Sequence, residues 1–356
     1  MSAVVTPRRA GILPPYLLDH VAQAAPERAR QCARLSRQIT AQLRQQRALG
    51  LLARTRPPAA DAADTPTEQA VQRQIYDAQQ GTALPGTLVR AEGAAATDDV
   101  AVTEAYDYLG ATHAFFQTVY ARNSIDGDGM PLIGTVHYER GYDNAFWNGE
   151  QMVFGDGDGE IFNRFTIAID VVGHELTHGV TERTANLIYQ DQSGALNESL
   201  SDVFGVLIKQ YTLQQQASEA DWIIGAGLLM PGINGVGLRS MRAPGTAYDD
   251  PALGKDPQPA SMDGFVDTQE DDGGVHYNSG IPNHAFYRAA VAIGGYAWEK
   301  TGRIWYRALT GGELAAGADF ATFAALTVRI AGADYGASSA EATAVQQAWR
   351  DVGVLT

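Results

Sequence analysis

Apolar side chains recur at helical spacing near the start of the chain and throughout its second half. Near the start they predict a helix over residues 15–53, at Leu17, Val21, Leu35, Ile39, Leu43 and Leu49. From Ile167 onward the spacing predicts helices at 167–184, 195–213, 279–297, 300–309, 317–332 and 338–351. Residues 67–165 instead carry short apolar runs between Gly and Asp turns, which is typical of strands, with one predicted helix at 102–120.

A stretch rich in Pro, Ala and Asp at 57–66 separates the first predicted helix from the rest of the chain. This composition is typical of an exposed linker, where proteases cut. We therefore divide the chain into a first segment (1–56), a linker (57–66) and a body. Cleavage is predicted between Gln45 and Thr67.

The net charge of −15 over 356 residues is unevenly distributed. The first segment carries +8, with Asp19 and Glu27 as its only acids, whereas the rest of the chain carries −23. Opposite charges indicate either a basic arm for an outside partner or a segment that docks on its own body. The acidic body argues against nucleic acid as a partner, and Tyr16 is the segment's only aromatic residue for stacking on bases.

Three absences in the sequence restrict the class of protein. No apolar run reaches about 18 residues, so we expect no membrane-spanning helix and no membrane partner. No apolar stretch of the secretion-signal type follows Arg8 and Arg9, because Pro14 and Pro15 interrupt it. The single cysteine, Cys32, excludes an intrachain disulfide and leaves a thiolate metal ligand as a minor alternative to a small helix residue.

Residues 174–178 read His-Glu-Leu-Thr-His. Positions i and i+4 share one face of a helix, so His174 and His178 can bind one metal ion. Glu175 would then reach a water molecule beside the ion without binding the metal itself. The five-residue pattern alone is common, and the alternative is a helix that carries two surface histidines.

Two acids on the next predicted helix favour a metal site. A catalytic zinc site needs three protein ligands, and Glu198 lies twenty positions after His178, which leaves room for a loop and a returning helix. Asp202 lies one turn further on the same face, where it can accept a hydrogen bond from a ligating histidine. Because most neighbours on this helix are apolar, burying these acids without partners would be costly.

A third cluster, residues 270–280, combines acids, glycines and a histidine. Gly273 and Gly274 permit a tight loop before the next predicted helix. On that loop His276 could approach the site as a hydrogen-bond donor oriented by Asp271. The alternative is an ordinary turn with a solvent-exposed histidine.

The arrangement His174-Glu175-x-x-His178, followed after nineteen residues by Glu198, resembles the thermolysin family of zinc endopeptidases. Similar segments continue in order over about residues 75–356, at 144–149 (Asn-Ala-Phe-Trp-Asn-Gly), 187–190 (Leu-Ile-Tyr-Gln), 238–241 (Leu-Arg-Ser-Met) and 271–280. Residues 14–18 (Pro-Pro-Tyr-Leu-Leu) look like the short propeptide of the protealysin branch. The resemblance implies an α+β fold of two lobes with the active site between them. The lobe at 67–188, which includes the His174 helix, would be rich in antiparallel strands, and the lobe at 189–356 would be helical.

The resemblance also implies a role for each matching residue. One zinc ion would be bound by His174, His178 and Glu198. Glu175 would be the general base. The donors of hydrogen bonds to the developing oxyanion would be His276 and Tyr189. The residues that orient His174, His178 and His276 would be Asp202, Asn197 and Asp271, respectively.

Substrate contacts follow from the same resemblance. The substrate backbone would be bound by the Asn144 side chain, the Ala145 backbone and Arg239. The pocket for the residue after the scissile bond would be lined by Phe162, Phe165, Val171 and Leu238. Because this lining is apolar, cleavage before Leu, Ile, Phe or Val is expected.

The family's double calcium site is expected to be missing. Asp170, one helical turn before His174, is retained, but Lys209 stands where the family has an acid, and Asp221 is the only acid in the loop 221–227. We expect Lys209 to pair with Asp170 in place of calcium, against the alternative of a surface lysine. The Asp-Gly-Asp-Gly sequences at 126–129 and 156–159 lack the glutamate of an EF-hand and are interpreted as turns.

Together these features predict a zinc-dependent neutral endopeptidase that is made as a precursor inhibited by residues 1–56, with 14–18 as an apolar anchor. The expected partners are peptide or protein substrates and its own propeptide, and we expect a monomer. By resemblance the protein is secreted; because no signal peptide is visible, a cytoplasmic location or a non-standard export route stays open. The alternative function is a catalytically silent binding protein, but such a relative is expected to lose Glu175, which this chain keeps.

Overall fold

A computed structural model describes the backbone of residues 11–48 and 71–356 and the side chains of residues 11–43 and 71–356. The linker 57–66 and most of the predicted cleavage region lie outside the described residues. None of the described helices has the length and apolar composition needed to cross a lipid bilayer.

Two helices form the first segment, α1 (Pro15–Ala24) and α2 (Glu27–Ala48). The prediction of one continuous helix from residue 15 is therefore wrong. The break falls at Ala25, which is extended, because Pro26 has no backbone N–H and disfavours a helical conformation in the residue before it. The apolar spacing continues on both sides of the break, so the pattern alone does not reveal it.

The first half of the body contains a mixed five-stranded sheet. Its strands are β1 (Arg73–Asp77), β2 (Thr87–Ala91), β3 (Leu132–Val136), β4 (Ala145–Trp147) and β5 (Met152–Phe154). The spatial order is β2-β1-β3-β5-β4, in which the two outer pairs are antiparallel and the two inner pairs are parallel. The expectation of antiparallel strands is therefore wrong for the middle of the sheet. α3 (Val100–Tyr120) connects β2 to β3, which lies on the other side of β1 and parallel to it.

The second half of the body is mainly helical, as predicted. Its helices are α4 (Ile169–Glu182), α5 (Asp191–Leu213), α6 (Asp271–Asn278), α7 (Gly280–Ile293), α8 (Thr301–Thr310), α9 (Phe320–Tyr335) and α10 (Ala340–Asp351). Between α5 and α6 lie two short ladders, β6 (Ile223–Ile224) with β7 (Arg239–Ser240) and β8 (Asp249–Asp250) with β9 (Gly254–Lys255), and a 3-10 turn (Met262–Gly264).

α4 and α5 pack closely against each other at two glycines. A Cβ atom on Gly205 of α5 would collide with the backbone carbonyl of Asp170, and one on Gly173 of α4 would lie 2.7 Å from Ile208 Cδ1. The absence of these side chains lets the two helix backbones approach closely. Side chains from both helices can therefore meet at one point.

The first segment packs against the body. Ile12, Leu17 and Leu18 are fully buried in the main hydrophobic core, and a second apolar cluster joins α2 to the region around β4. The second cluster consists of Leu35, Ile39, Leu43, Ala78, Leu84, Tyr138, Tyr142, Phe146 and Val153. Arg30 and Arg37 form ion pairs with acids of their own segment. The described contacts thus make docking mainly apolar, rather than an attraction between oppositely charged parts.

Candidate metal centre

α4 presents His174 and His178 on one buried face. Their Nε2 atoms lie 3.1 Å apart. From α5, Glu198 places its Oε2 atom 3.4 Å from His174 Nε2 and its Oε1 atom 3.4 Å from His178 Nε2. One ligand atom from each of the three side chains can be chosen so that all lie within 4.8 Å of one another. The structure therefore brings the three predicted ligands together, and the alternative of two surface histidines is wrong.

Hydrogen bonds fix the tautomers of both histidines. His174 Nδ1 lies 2.8 Å from Asp202 Oδ1, and His178 Nδ1 lies 2.8 Å from Asn197 Oδ1 and 3.0 Å from Ser201 Oγ. Because an amide or carboxylate oxygen only accepts, each Nδ1 atom carries the hydrogen, and each Nε2 atom can offer its lone pair to a metal. Ser201 was not predicted, although it lies one turn after Asn197 on the same helix face.

The residues present fit a zinc ion. Two imidazole nitrogens and one carboxylate suit zinc, and Glu198 Oε2 is buried without a hydrogen bond to any described residue. Burial lowers the pKa of His174, but the nearby carboxylates of Asp202 and Glu198 outweigh it and raise the pKa to about 9. The same carboxylates that favour a proton on the His174 ring also favour a metal cation beside it.

Glu175 lies on α4 beside the two histidines, and its side chain is buried. Its Oε2 atom accepts a hydrogen bond of 2.9 Å from the backbone N–H of Trp147 on β4. The bond fixes the carboxylate between the metal-binding helix and the edge of the sheet. Sequence reasoning missed the contribution of Trp147, because a backbone donor leaves no signal in side-chain spacing.

His276 lies next to the ligand cluster. Its Nε2 atom is 3.5 Å from Glu198 Oε2 and 3.4 Å from the Tyr189 hydroxyl, which also donates a short hydrogen bond to Glu198. Its Nδ1 atom lies 2.7 Å from Asp271 Oδ1, as expected for an orienting carboxylate. Burial lowers the pKa of His276, but Asp271 and Glu198 outweigh it and raise the pKa above its ordinary value.

The local structure around His276 differs from the predicted loop. The left-handed backbone of Asp272, Gly273 and Gly274 forms a tight turn, and helical backbone resumes at Val275. His276 therefore lies on a short helical turn that follows the glycines. This turn is anchored by the backbone N–H of His276, which donates to Asp271 Oδ2 at 2.8 Å.

Asp202 connects the ligand cluster to Arg239 and, through Arg239, to the first segment. Besides His174, it binds Arg239 through two hydrogen bonds, 2.8 Å from Nε and 2.7 Å from Nη2. Burial raises the pKa of Asp202, but Arg239 and His174 outweigh it and lower the pKa to about 2. The third guanidinium nitrogen, Nη1, donates to the backbone carbonyl of Ile12 at 3.2 Å.

The first segment lies along the outer edge of β4. The N–H of Ile12 donates to the Ala145 carbonyl at 3.1 Å, and the N–H of Leu13 donates to Asn144 Oδ1 at 3.0 Å. The three predicted substrate anchors, Asn144, Ala145 and Arg239, therefore all bind this segment. The predicted apolar anchor at 14–18 is largely buried, but the backbone contacts fall at residues 12 and 13, which the prediction missed.

Comparison with known proteins identifies the family. Residues 59–182 match the thermolysin metallopeptidase catalytic domain, and residues 185–354 match the thermolysin metallopeptidase alpha-helical domain. The chain belongs to the thermolysin family of metallopeptidases. The predicted α+β, thermolysin-like fold is thereby confirmed.

This thermolysin-family chain is similar to full-length bacterial relatives. It is 54% identical over 343 residues to an extracellular metalloprotease of Pectobacterium carotovorum subsp. carotovorum, with 96% of each chain covered. It is 50% identical over 346 residues to protease PrtS of Photorhabdus sp. (strain Az29), covering 97% of this chain and 92% of that protein. The solved precursor of protealysin, a metalloproteinase from Serratia proteamaculans, matches with a TM-score of 0.88 and 57% identity, over 97% of this chain and 100% of that one.

The four residues predicted to line the specificity pocket of this metallopeptidase are buried in the main apolar core. They are Phe162, Phe165, Val171 and Leu238. The ring centroids of the two phenylalanines lie 6.0 Å apart. Their assignment to a substrate pocket stays a prediction.

Lys209 occupies the region where relatives of this chain were expected to hold calcium. It is 7% exposed, and its Nζ atom lies 2.8 Å from Asp170 Oδ2 and 2.9 Å from Asp221 Oδ1. Nζ also donates to the Ile223 carbonyl at 2.5 Å. The predicted pairing with Asp170 is confirmed, and the alternative of a surface lysine is wrong.

The remaining candidates lie apart from the three ligands. Asp126 and Asp158 each use one carboxylate oxygen to accept backbone N–H groups that follow them closely in sequence, as expected for turns. Cys32 on α2 lies against Gly141, at a cavity between the first segment and the body. Burial raises the pKa of its thiol to about 11, which is unfavourable for a thiolate ligand.

Proposed function

We propose that this metallopeptidase is a zinc-dependent endopeptidase made as a self-inhibited precursor. One observation carries the proposal: three side chains suited to zinc, with Glu175 beside them, line a cleft in which the chain's own first segment is bound through its backbone. A site that binds residues 12 and 13 through hydrogen bonds to their backbone is suited to any extended peptide.

The chemistry follows from the positions of the side chains. A zinc ion held by His174, His178 and Glu198 would supply Lewis acidity and lower the pKa of water. Glu175, fixed by the Trp147 N–H, takes a proton from the attacking water and passes it to the leaving amine. His276 and Tyr189, 3.4 Å apart, donate hydrogen bonds to the oxygen that becomes negatively charged.

Substrate selection has two parts. The hydrogen bonds that Asn144, Ala145 and Arg239 form with the first segment go to backbone atoms of residues 12 and 13, so they favour an extended chain of any sequence. Side-chain preference must then come from a pocket, and the apolar lining proposed for it favours cleavage before Leu, Ile, Phe or Val.

The first segment would keep the enzyme inactive until it is released. Because it uses the same three backbone anchors as a substrate, both cannot bind at once. Secretion is proposed because the Pectobacterium carotovorum relative is named an extracellular metalloprotease. We also propose that no calcium binds at Lys209, since its ammonium group already lies between two carboxylates.

Glu175→Gln tests the proposed function. The amide keeps the size of the side chain but cannot accept a proton, so peptide hydrolysis should fall by ~10²–10⁴-fold. Zinc content, measured on the purified protein, and the thermal midpoint should stay near wild type. Glu182→Gln, on the same helix, is the matched control and should retain activity. Near-normal turnover by Glu175→Gln would refute the mechanism, and an inactive wild-type body without its first segment would favour the silent binding protein.

A further inference from the structure

We propose that Asn283 is a positioning residue that holds the metal-binding His174 and the substrate-binding Arg239 in place through one shared carboxylate. That carboxylate belongs to Asp202. The inference rests on the proposed zinc peptidase function and assigns a role to a side chain on α7, which contributes none of the predicted ligands or anchors.

Asp202 accepts four hydrogen bonds, two on each oxygen. Oδ1 accepts from His174 Nδ1 at 2.8 Å and from Arg239 Nη2 at 2.7 Å. Oδ2 accepts from Arg239 Nε at 2.8 Å and from Asn283 Nδ2 at 2.8 Å. Asn283 is 1% exposed and Asp202 is fully buried, so water does not substitute for these donors.

Asn283 differs from the other two partners of Asp202 in what it binds. His174 points towards the metal position, and Arg239 points towards the carbonyl of a chain in the cleft. Both can shift when their ligands bind or leave. Asn283 projects from α7, which packs against α5, and its amide contacts neither ligand position, so it can hold the carboxylate still.

The amide of Asn283 carries an energetic penalty in the folded protein. Its Oδ1 atom is buried and forms no hydrogen bond with the described part of the chain. An unsatisfied buried oxygen is destabilising, and an apolar residue of similar size would avoid it. If the amide were reversed, its Oδ1 atom would face the carboxylate of Asp202, and both groups only accept hydrogen bonds. Nδ2 is therefore the atom that faces Asp202. The hydrogen bond to a charged acceptor is the compensating interaction.

Asn283→Leu removes the donor at similar volume. We expect zinc affinity, measured by competition with a chelator on the full chain, to weaken about 10- to 100-fold. In the self-processed, zinc-saturated enzyme, KM for a short peptide should rise more than kcat falls, because Arg239 is displaced from the substrate carbonyl. Glu175 is held by the Trp147 N–H on β4, so the chemical step should be affected less.

The matched control is Thr327→Val on α9. Thr327 is a fully buried hydroxyl that bonds Trp349 Nε1 and the Ala324 carbonyl, within the same helical part of the body. Its loss should lower the thermal midpoint without changing zinc affinity or KM. If Asn283→Leu only destabilised the fold, it too would lower the thermal midpoint and leave zinc affinity and KM unchanged. The control therefore separates a positioning role from a loss of packing.

Asn283→Ala gives a second variant if Asn283→Leu fails to fold. It removes the donor without adding bulk or charge beside Asp202, and zinc affinity should fall by a similar factor. Wild-type zinc affinity and KM in either folded variant would overturn the proposal. A wild-type protein that binds zinc but hydrolyses no peptide would refute the proposed function instead, and the zinc affinities would still decide the role of Asn283.

Discussion

Gly11 lies where a side chain would collide with the strand that the first segment joins. A Cβ atom on Gly11 would overlap the carbonyl oxygen of Ala145 and lie 2.7 Å from Asn144 Oδ1. These are the atoms that bind Ile12 and Leu13, so they cannot move away without breaking the docking contacts. The glycine is therefore needed for the first segment to dock in this position.

Gly11→Val in the full chain should weaken inhibition. Forcing a side chain into a packed contact costs about 1–3 kcal/mol, so activity before cleavage should rise by roughly 10-fold or more. The measurement is the initial rate of peptide hydrolysis, with cleavage of the chain followed on the same samples. Gln23→Val, at an exposed position of α1, is the control and should stay latent. Equal latency of the two variants would contradict the prediction.

The residues that meet in the candidate site were largely predictable from the sequence. His174, Glu175 and His178 fall within one helical turn, and Glu198 follows on the next helix. Trp147 contributes a backbone N–H, and Asn283 comes from a helix 81 residues beyond Asp202. A backbone donor and a contact between distant residues leave no pattern in the local sequence, so only the folded chain reveals them.

At the scale of elements, α2 covers a buried carboxyl pair. Ser36 of α2 accepts a 2.7 Å hydrogen bond from the backbone N–H of Asp143, whose side chain is fully buried. Burial and the nearby Asp158 raise the pKa of Asp143 well above its usual range, while the Asp158 backbone and Arg28 of α2 oppose this effect. When α2 leaves, water reaches this carboxyl group and its pKa should fall.

Docking of α2 should therefore weaken as pH rises. The pKa of Asp143 is raised while the helix is docked and falls after release, so between these two pKa values the docked state binds more protons. This contribution of Asp143 to docking is complete below the pKa that Asp143 has in the released state. It is progressively lost as the pH rises to the higher pKa that Asp143 has in the docked state. We expect precursor latency, measured as initial activity against pH, to decline with rising pH. Asp143→Asn should flatten this dependence, whereas Asp128→Asn, at an exposed turn, should not.

Lys209 links α4 and α5 to the start of β6. Lys209→Met would leave Asp170 buried beside an apolar group, and removing one member of a buried pair costs about 3–5 kcal/mol. Denaturant unfolding should report this loss while zinc content stays constant. Lys300→Met removes an exposed pair with Glu341 and should have little effect.

The same ion pairs predict how the wild type responds to calcium. With zinc present throughout, adding millimolar calcium should not change its thermal midpoint, because the Lys209 ammonium already neutralises Asp170. A rise of many degrees with calcium would show that a structural calcium site survives.

Helix positions were predicted better than strand directions. The helix predicted at 279–297 ends at Ile293, because Gly294 and Gly295 adopt positive φ angles that stop it. Strand runs were recognisable, but whether β3 lies parallel to β1 depends on where α3 crosses the sheet. Apolar periodicity carries no information about that crossing.

At the scale of the whole molecule, the first segment is part of the folded core. Leu17 and Leu18 belong to the same buried cluster as residues of both lobes, and His20 lies 3.3 Å from the Pro251 carbonyl. Removing the segment therefore uncovers apolar surface as well as the cleft.

A chain that starts at Thr65 should hydrolyse short peptides faster than the uncleaved full chain and unfold at a lower temperature. The first effect follows from the free anchors Asn144, Ala145 and Arg239, and the second from lost apolar burial. Parallel measurements of kcat/KM and thermal midpoint test both. Equal activity in the two chains would refute the inhibitory role, and failure of the shorter chain to fold would make the segment a folding aid.

Release of the segment also changes how copies of the protein meet one another. β4 is the last strand of its sheet, and Ile12 supplies a backbone partner to Ala145 on its outer side. A bare edge strand is a template for any extended chain, including the linkers and termini of neighbouring copies. We therefore expect the released protein to self-associate more readily at high concentration than the uncleaved chain.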